Sequence, residues 1–243
     1  MKSTSKNILI TICARGGSKG IPGKNIKEIN GRPLLAYTVA SARAFIEKHG
    51  GEIILSTDSE RIKEEGRKLG LNTDYSRPDR LATDTAGKPE AIKDAMLWCE
   101  KKTGRKVDYV IDLDVTSPIR TVEDIENCMT LVEQDEDTLT SFSVNPAARN
   151  PYFNMVEETG DGFCKVVLGG KYTTRQSAPK VYDMNASIYV YRRDALMVET
   201  PRAVTKRSRC YVMDHICFDL DNPEDFDYLE FLLSHNKLQG ILA

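Results

Sequence analysis

The stretch Asn7-Ile8-Leu9-Ile10-Thr11-Ile12-Cys13-Ala14-Arg15-Gly16-Gly17-Ser18-Lys19-Gly20 decides the fold. Its first seven residues are a nearly continuous apolar run rich in β-branched side chains. Such a run fits a strand buried on both faces, as inside a parallel sheet. The composition then switches at once to glycine and cations. Gly16, Gly17 and Gly20 let the backbone approach a ligand closely and turn its N–H groups toward an anion. Arg15, Lys19 and Lys24 add positive charge, while Ser18 and Asn25 add neutral hydrogen-bonding groups. Ligands of open α/β sheets bind beyond the carboxyl ends of the strands, which is where this loop must lie. The bland alternative is a solvated basic turn, but a loop this long and cationic is costly after a buried strand unless it binds something. The spacing is neither G-x-x-x-x-G-K-[ST] nor a clean G-x-G-x-x-G, which disfavours a Walker-type loop and a dinucleotide-binding dehydrogenase.

Downstream the pattern alternates. Pro33 suits the first turn of a helix over 33–48, and 52–56 reads as a second strand. A helix over 58–69, capped by Asp58 or Ser59 and closed by Gly70, precedes a short third strand at 72–75. After a loop at 76–87, Pro89 opens a helix to 102, and 107–113, 121–133 and 138–144 read as strand, helix and strand. This alternation predicts an α/β, doubly wound and mostly parallel sheet. The rhythm breaks at Asn145, where Pro146, Pro151, Gly160, Gly162, Gly169, Gly170 and Pro179 punctuate short alternating segments. That pattern predicts a protruding β-hairpin arm. Strands at 186–192 and 209–213 follow, and Asn222-Pro223-Glu224-Asp225 starts a last helix reaching 235. The expected organisation is a core of 1–145 and 185–243 with the arm, 146–184, inserted.

The 243 residues suffice for one large domain. A net charge of −2 argues against a basic nucleic-acid-binding surface. No apolar run approaches the ~20 residues of a membrane span. Residues 1–6 carry no apolar signal core, so a cytoplasmic location is expected. The six cysteines form no Cys-x-x-Cys pair and read as buried thiols. The three histidines offer little material for a nucleophilic triad.

Three further segments carry chemistry. Arg77-Pro78-x-x-Leu81-Ala82-Thr83-Asp84-Thr85 supplies an Arg, hydroxyls and an Asp able to read a pyrimidine edge and a ribose, although Asp84-Thr85 also suits a plain helix cap. Asp112-Leu113-Asp114-Val115-Thr116-Ser117-Pro118-Ile119-Arg120-Thr121 follows a strand, where a simple strand–helix turn is the alternative. In Phe218-Asp219-Leu220-Asp221, alternation puts both carboxylates on one face, suited to Mg²⁺, a hard cation that prefers oxygen.

Together these residues resemble the acylneuraminate cytidylyltransferases, or CMP-sialic acid synthetases. The carriers are Ala14-Arg15-x-x-Ser18-Lys19-Gly20 with Pro22 and Lys24-Asn25, the 77–85 segment, the 112–121 segment, Thr173-Thr174-Arg175-Gln176-Ser177-Ala178-Pro179, Asp183-Met184-Asn185-Ala186-Ser187-Ile188-Tyr189, and Asp219-x-Asp221. The resemblance covers nearly the whole chain. It implies a nucleotide-diphospho-sugar transferase-like fold and transfer of CMP from CTP to a nine-carbon acidic sugar, with pyrophosphate released. It implies CTP contacts from Ala14, Arg15, Gly16, Gly17, Ser18, Lys19, Lys24, Asn25, Arg77, Thr83, Asp84 and Thr85. Arg15 and Lys19 would neutralise charge at the reacting phosphate, Asp219 and Asp221 would hold Mg²⁺, and Asp114, Thr116, Ser117, Arg175, Gln176 and Asn185 would face the sugar. Arg175 is the natural bidentate partner for a sugar carboxylate. It also implies a homodimer made through the arm. Asp114 departs from the glutamine that many sialic-acid enzymes carry there, which changes the sugar substituent that is welcome. Within the family the three segments at 112–118, 173–180 and 182–189 look closest to the CMP-legionaminic acid synthetases. N-acetylneuraminate or pseudaminate as the sugar, and a catalytically silent nucleotide-binding module, are the competing expectations. A silent module has no need of the metal pair.

Overall fold

The computed structural model describes residues 6–17 and 20–242. Ser18 and Lys19 therefore lie outside the described residues. The run that opens the chain forms β1 (Ile8–Cys13), buried along almost its whole length. The hairpin β2 (Glu28–Ile29) and β3 (Arg32–Pro33) leads into α1 (Leu34–His49), β4 (Glu52–Ser56) and α2 (Glu60–Lys68). Next come α3 (Lys88–Thr103), β5 (Tyr109–Leu113), α4 (Val122–Glu133) and β6 (Thr140–Pro146). The short strands β7 (Val156–Glu158) and β8 (Cys164–Val166) precede β9 (Tyr182–Arg192), α5 (Arg193–Leu196), β10 (Ser208–Val212) and α6 (Pro223–Ser234).

Among the described residues, six strands form one sheet in the order β10-β6-β9-β5-β1-β4. β1 pairs in parallel with β4 and β5, and β10 pairs in parallel with β6. β9 runs antiparallel to both β5 and β6, so the sheet is mixed and mostly parallel. A strand that returns from a long excursion has no crossover helix to reverse its direction, and it enters the sheet the other way. Residues 72–75 are not a strand: they run past the end of β4 without pairing, anchored by buried Tyr75, whose hydroxyl donates to Asp94 Oδ2 at 2.8 Å. In that segment only Tyr75 is apolar enough to hold a sheet face.

The period of two along the strands divides the core between the faces. Ile8, Ile10 and Ile12 pack with Leu35 and Phe45 of α1, Ile125 and Met129 of α4, and Leu229 of α6. Leu9, Ile54 and Val110 pack on the other face with Ile92 and Met96 of α3 and Leu196 of α5. Both faces are thus covered by helices. α4 starts on a capping box of Thr121 and Asp124, and α6 on one of Asn222 and Asp225 with a proline in its first turn. No helix among the described residues is long and apolar enough to cross a membrane.

The excursion between β6 and β9 holds a separate antiparallel pair, β7 with β8. Pro146 pairs with Tyr182 and Ala147 N–H donates to Val181 O at 3.2 Å, so chain exit and return lie side by side. β9 therefore begins earlier than the sequence pattern indicated. Its register against β6 shifts between Phe142 and Val144, and Ala186 there takes φ 60°, the left-handed region that L side chains seldom enter. Of the six cysteines, Cys164 and Cys210 are exposed rather than buried, because they sit on the small sheet and on the outer strand β10, where one face has no covering helix.

Candidate active site

The carboxyl ends of β1, β4 and β5 open onto a cleft of about 420 Å³ lined by Arg15, Lys24, Arg77, Asp84, Asp114 and Asp221, among others. The glycine loop packs tightly to reach it. A Cβ on Gly16 would lie 2.9 Å from Ser59 Cβ, and one on Gly20 would lie 3.2 Å from Asp221 O. Gly16 N–H donates to Asp58 Oδ1 at 2.8 Å, and buried Asn25 donates from Nδ2 to Arg15 O at 3.0 Å. The loop's shape is thus held by its own side chains. Ala14 is buried, its N–H bonded to Ser56 O at 3.0 Å.

The cleft's cations rest on partners within the fold, carboxylates for Arg15 and Lys24 among them. Arg15 Nη1 donates to Asp84 Oδ1 at 2.8 Å. Lys24 Nζ donates to Leu220 O at 2.7 Å and lies 3.3 Å from Asp221 Oδ1. Arg77 is buried, with Nε on Ser56 Oγ at 3.0 Å and Nη2 on Ser56 O at 2.8 Å. Asp84 does not cap α3, whose N-cap is Gly87. Thr83 lies on the cleft wall, its hydroxyl 3.4 Å from that of Thr85.

The opposite side is built by two loops tied together. Leu220 N–H donates to Thr116 O at 2.8 Å, and buried Ser117 donates from Oγ to Phe218 O at 3.1 Å and to Asn185 O at 2.6 Å. These bonds fix Asp219 between them. Its Oδ1 is buried and has no hydrogen-bond partner among the described residues. Burial pushes the Asp219 pKa up, and Asp114 and Asp221 add to that against Thr116 and Lys24. A buried, orphaned carboxylate oxygen amid other carboxylates is a ready place for a cation.

A sequence profile described as Cytidylyltransferase matches residues 9–240. The chain belongs to the cytidylyltransferase family. It is 42% identical over 235 residues to a Campylobacter jejuni protein named CMP-N,N'-diacetyllegionaminic acid synthase, covering 95% of this chain and 97% of that one. It is 41% identical over 236 residues to the post-translational flagellin modification protein B of Campylobacter coli, covering 96% and 97%. A solved structure of CMP:2-keto-3-deoxy-manno-octonic acid synthetase complexed with CTP superposes with a TM-score of 0.67 at 17% identity, covering 95% of this chain and 100% of that one, which shows a shared fold.

In this cytidylyltransferase, apart from Ala14, Gly16, Gly17 and Thr85 in the loops and the buried Asp219, the sequence-expected residues that the structure describes fall into three groups. Arg15, Lys24, Asn25, Arg77, Thr83, Asp84, Asp114, Thr116 and Asp221 line one cleft. Ser117 and Asn185 are buried struts: Asn185 accepts from Ser143 Oγ at 2.6 Å and donates to Asn145 Oδ1 at 2.7 Å, bridging the irregular stretch of β9. Arg175 and Gln176 are exposed in the excursion, with Arg175 Nη2 donating to Ala148 O at 3.0 Å. The sequence also left unnoticed Lys88, whose Nζ lies 2.8 Å from Asp112 Oδ2 and 2.5 Å from Asp114 Oδ2. The available signal was a lysine in the first turn of a helix, where the dipole disfavours a cation unless carboxylates hold it. Arg120, fully buried, donates to Ser187 Oγ at 2.8 Å and to the carbonyls of Asp114 and Ser117, fastening the loop that carries Asp114.

Proposed function

We propose that this cytidylyltransferase transfers CMP from CTP to the anomeric hydroxyl of a nine-carbon acidic sugar of the legionaminic acid type. The observation that carries the reading is the convergence of Arg15 and Lys24, from the amino-terminal loop, with Asp221, from the carboxyl-terminal segment, on one cleft. The full-length likeness to a protein named for CMP-N,N'-diacetyllegionaminic acid supports the choice of sugar. In the reaction the anomeric hydroxyl gives up its proton to solvent, its oxygen forms a bond to the α-phosphorus, the α-phosphorus bond to the bridging oxygen of the β-phosphate breaks, and pyrophosphate leaves with that electron pair. Arg15 and Lys24 offset the charge of the triphosphate once they exchange their resting carboxylate partners for phosphate oxygens. Lys19 adds a third cation from the same loop. Arg77 and the Thr83–Thr85 hydroxyls face the nucleoside. Asp219 and Asp221 would hold Mg²⁺, and the orphaned Asp219 oxygen suits that role. When bound, the ion supplies positive charge to the phosphates.

The excursion is read as a dimerisation arm. Exposed Met155, Val156, Phe163, Leu168 and Met184 give it apolar surface that an isolated two-stranded sheet does not cover. In a dimer, Arg175 would meet the sugar carboxylate in the neighbouring copy's cleft. The proposed division is thus a core of 1–145 and 185–243 and an arm of 146–184, in a cytoplasmic homodimer.

Pyrophosphate release from CTP with legionaminic, pseudaminic and N-acetylneuraminic acids, each with and without Mg²⁺, tests the reading. No release with any of them refutes it. Mixing Arg15→Ala with Arg175→Ala chains tests the shared site: activity recovers in the mixture if sites are shared, and stays lost if each chain is self-sufficient.

A further inference from the structure

The floor of the cleft holds a charged trio that the reaction as written does not use. Lys88 reaches down from the first turn of α3, its Nζ between Asp112 and Asp114 and 5.4 Å from the centre of the Tyr189 ring. Asp112 is wholly buried, with Oδ1 accepting from Thr11 Oγ1 at 2.7 Å. Asp114 is 16% exposed and opens on the cleft. Its acceptor sites can be counted. A carboxylate offers about four, two on each oxygen. Asp114 Oδ1 takes the Thr116 N–H at 2.8 Å and the Thr116 hydroxyl at 2.9 Å, which fills it. Oδ2 takes Lys88, which leaves a single acceptor site among the described residues.

Charge limits what can use that site. Two aspartates against one lysine leave the trio negative, and Asp219 lies near enough to feel Asp114. This end of the cleft repels phosphate and carboxylate, while Arg15 and Lys24 attract them elsewhere. Asp114 stays ionised: burial opposes the charge, and Lys88 with Thr116 overcomes it. Lys88 stays protonated in turn, since Asp112 and Asp114 outweigh the cost of its burial.

We propose that Lys88 is a positioning residue for sugar recognition: it pins Asp114 so that one fixed anionic acceptor selects a sugar presenting a hydroxyl or amide N–H there and turns the sugar carboxylate away. This rests on the proposed function and names the device that discriminates among acidic sugars. An amide at position 114 would accept and donate, whereas the pinned carboxylate only accepts. Removing Lys88 frees the side chain to rotate and leaves two facing aspartates to repel each other.

The test is steady-state kinetics of Lys88→Met, Lys88→Arg, Asp114→Asn and the double variant Lys88→Met/Asp114→Asn, with CTP and sugar varied separately. Lys88→Met is expected to raise the sugar KM about tenfold or more, the scale of a lost charge-assisted hydrogen bond, while the CTP KM stays within about twofold. Asp114→Asn should do the same and weaken the discrimination among nine-carbon acids. The double variant should be no worse than the poorer single one, because both remove one device. Lys88→Arg, which keeps the charge, should recover part of the loss. The acid limb of kcat/KM should move to higher pH in Lys88→Met, a shift that mere loosening of the fold would not produce. Calorimetric CTP binding by each variant establishes that it is folded. A sugar KM unchanged in Lys88→Met, or CTP and sugar KM raised alike, or additive losses in the double variant, overturns the proposal. A wild-type enzyme that binds CTP but converts no acidic sugar overturns the functional reading and takes this inference with it.

Discussion

Replacing Asp124 by asparagine removes a charge on which four hydrogen bonds depend. Asp124 Oδ2 accepts from the Thr121 N–H at 2.6 Å, the Thr121 hydroxyl at 2.8 Å and His215 Nε2 at 2.9 Å, and Oδ1 accepts from Tyr211 at 3.1 Å. His215 Nδ1 lies 3.0 Å from Ile216 O. Both ring nitrogens thus face oxygens that accept, an arrangement that favours the doubly protonated ring of His215. Asp124 raises the His215 pKa most, burial opposes it, and Ile216 O and Asp214 add to the rise. Asp124 itself titrates below the usual carboxylate range, because His215 and Thr121 overcome its burial. The two side chains are only 12% and 4% exposed, so solvent screens them little. An asparagine keeps the shape but turns an N–H₂ toward groups that donate: in the Oδ1 place it faces Tyr211 alone, in the Oδ2 place it faces three donors, and the bonds left to the remaining neutral oxygen weaken. Breaking a buried charged pair costs about 3–5 kcal/mol. At about 2–4 °C per kcal/mol for a chain of this size, the melting temperature should fall by roughly 6–20 °C. The sign with pH follows. His215, with a raised folded pKa, contributes stability fully below its unfolded value of about 6.5, and that stability is lost as pH rises through the folded pKa. Asp124, with a depressed one, contributes above its unfolded value and loses that contribution as pH falls through the folded pKa. Thermal melts across pH should therefore show a wild-type loss on the alkaline side of about pH 6.5 that is absent in Asp124→Asn. Because the His215 loop leads to Asp219, turnover should also fall several-fold well below the melting temperature. A variant melting within about 2 °C of wild type near pH 6, or one that keeps the alkaline loss, refutes the reasoning.

Asp219→Asn should raise the melting temperature slightly without Mg²⁺, since it removes a buried charge that burial disfavours, and should abolish any rise on adding Mg²⁺. Its turnover should drop about 10²–10³-fold by pyrophosphate release. Gly16→Ala forces a shift against Ser59 and should cost about 1–3 kcal/mol in urea melts, with a larger rise in the CTP KM than in the sugar KM. In native protein, Cys164 and Cys210 should react first with a thiol reagent by mass spectrometry. Cys13, although on the cleft wall, should lag, because burial and then Asp112 push its thiol up to about 12.

The sequence carried the strands and helices whose periodicity and punctuation agree. β1 was legible because its apolar run meets a glycine loop at once, and α6 because Asn222-Pro223 marks its start. Residues 72–75 misled because strand-like local composition cannot say whether a neighbouring strand is there to pair with. The reversed direction of β9 is a property of topology, invisible to any local pattern. In the site, loop cations and acidic pairs announce themselves by density. Lys88 did not, because its meaning comes from Asp112 and Asp114, some two dozen residues away and brought beneath it only by the sheet. Ser117 and Asn185 look the same in sequence whether they bind a ligand or brace a loop; that both are buried and bonded to the fold is visible only in three dimensions.

The adjacency of Ala147 and Val181 at the foot of the excursion has an evolutionary corollary. Because the polypeptide leaves and re-enters at one point, this piece can be lengthened, shortened or swapped between relatives with a seam only two residues wide. Selection can reshape whatever it touches while the catalytic architecture stays as inherited.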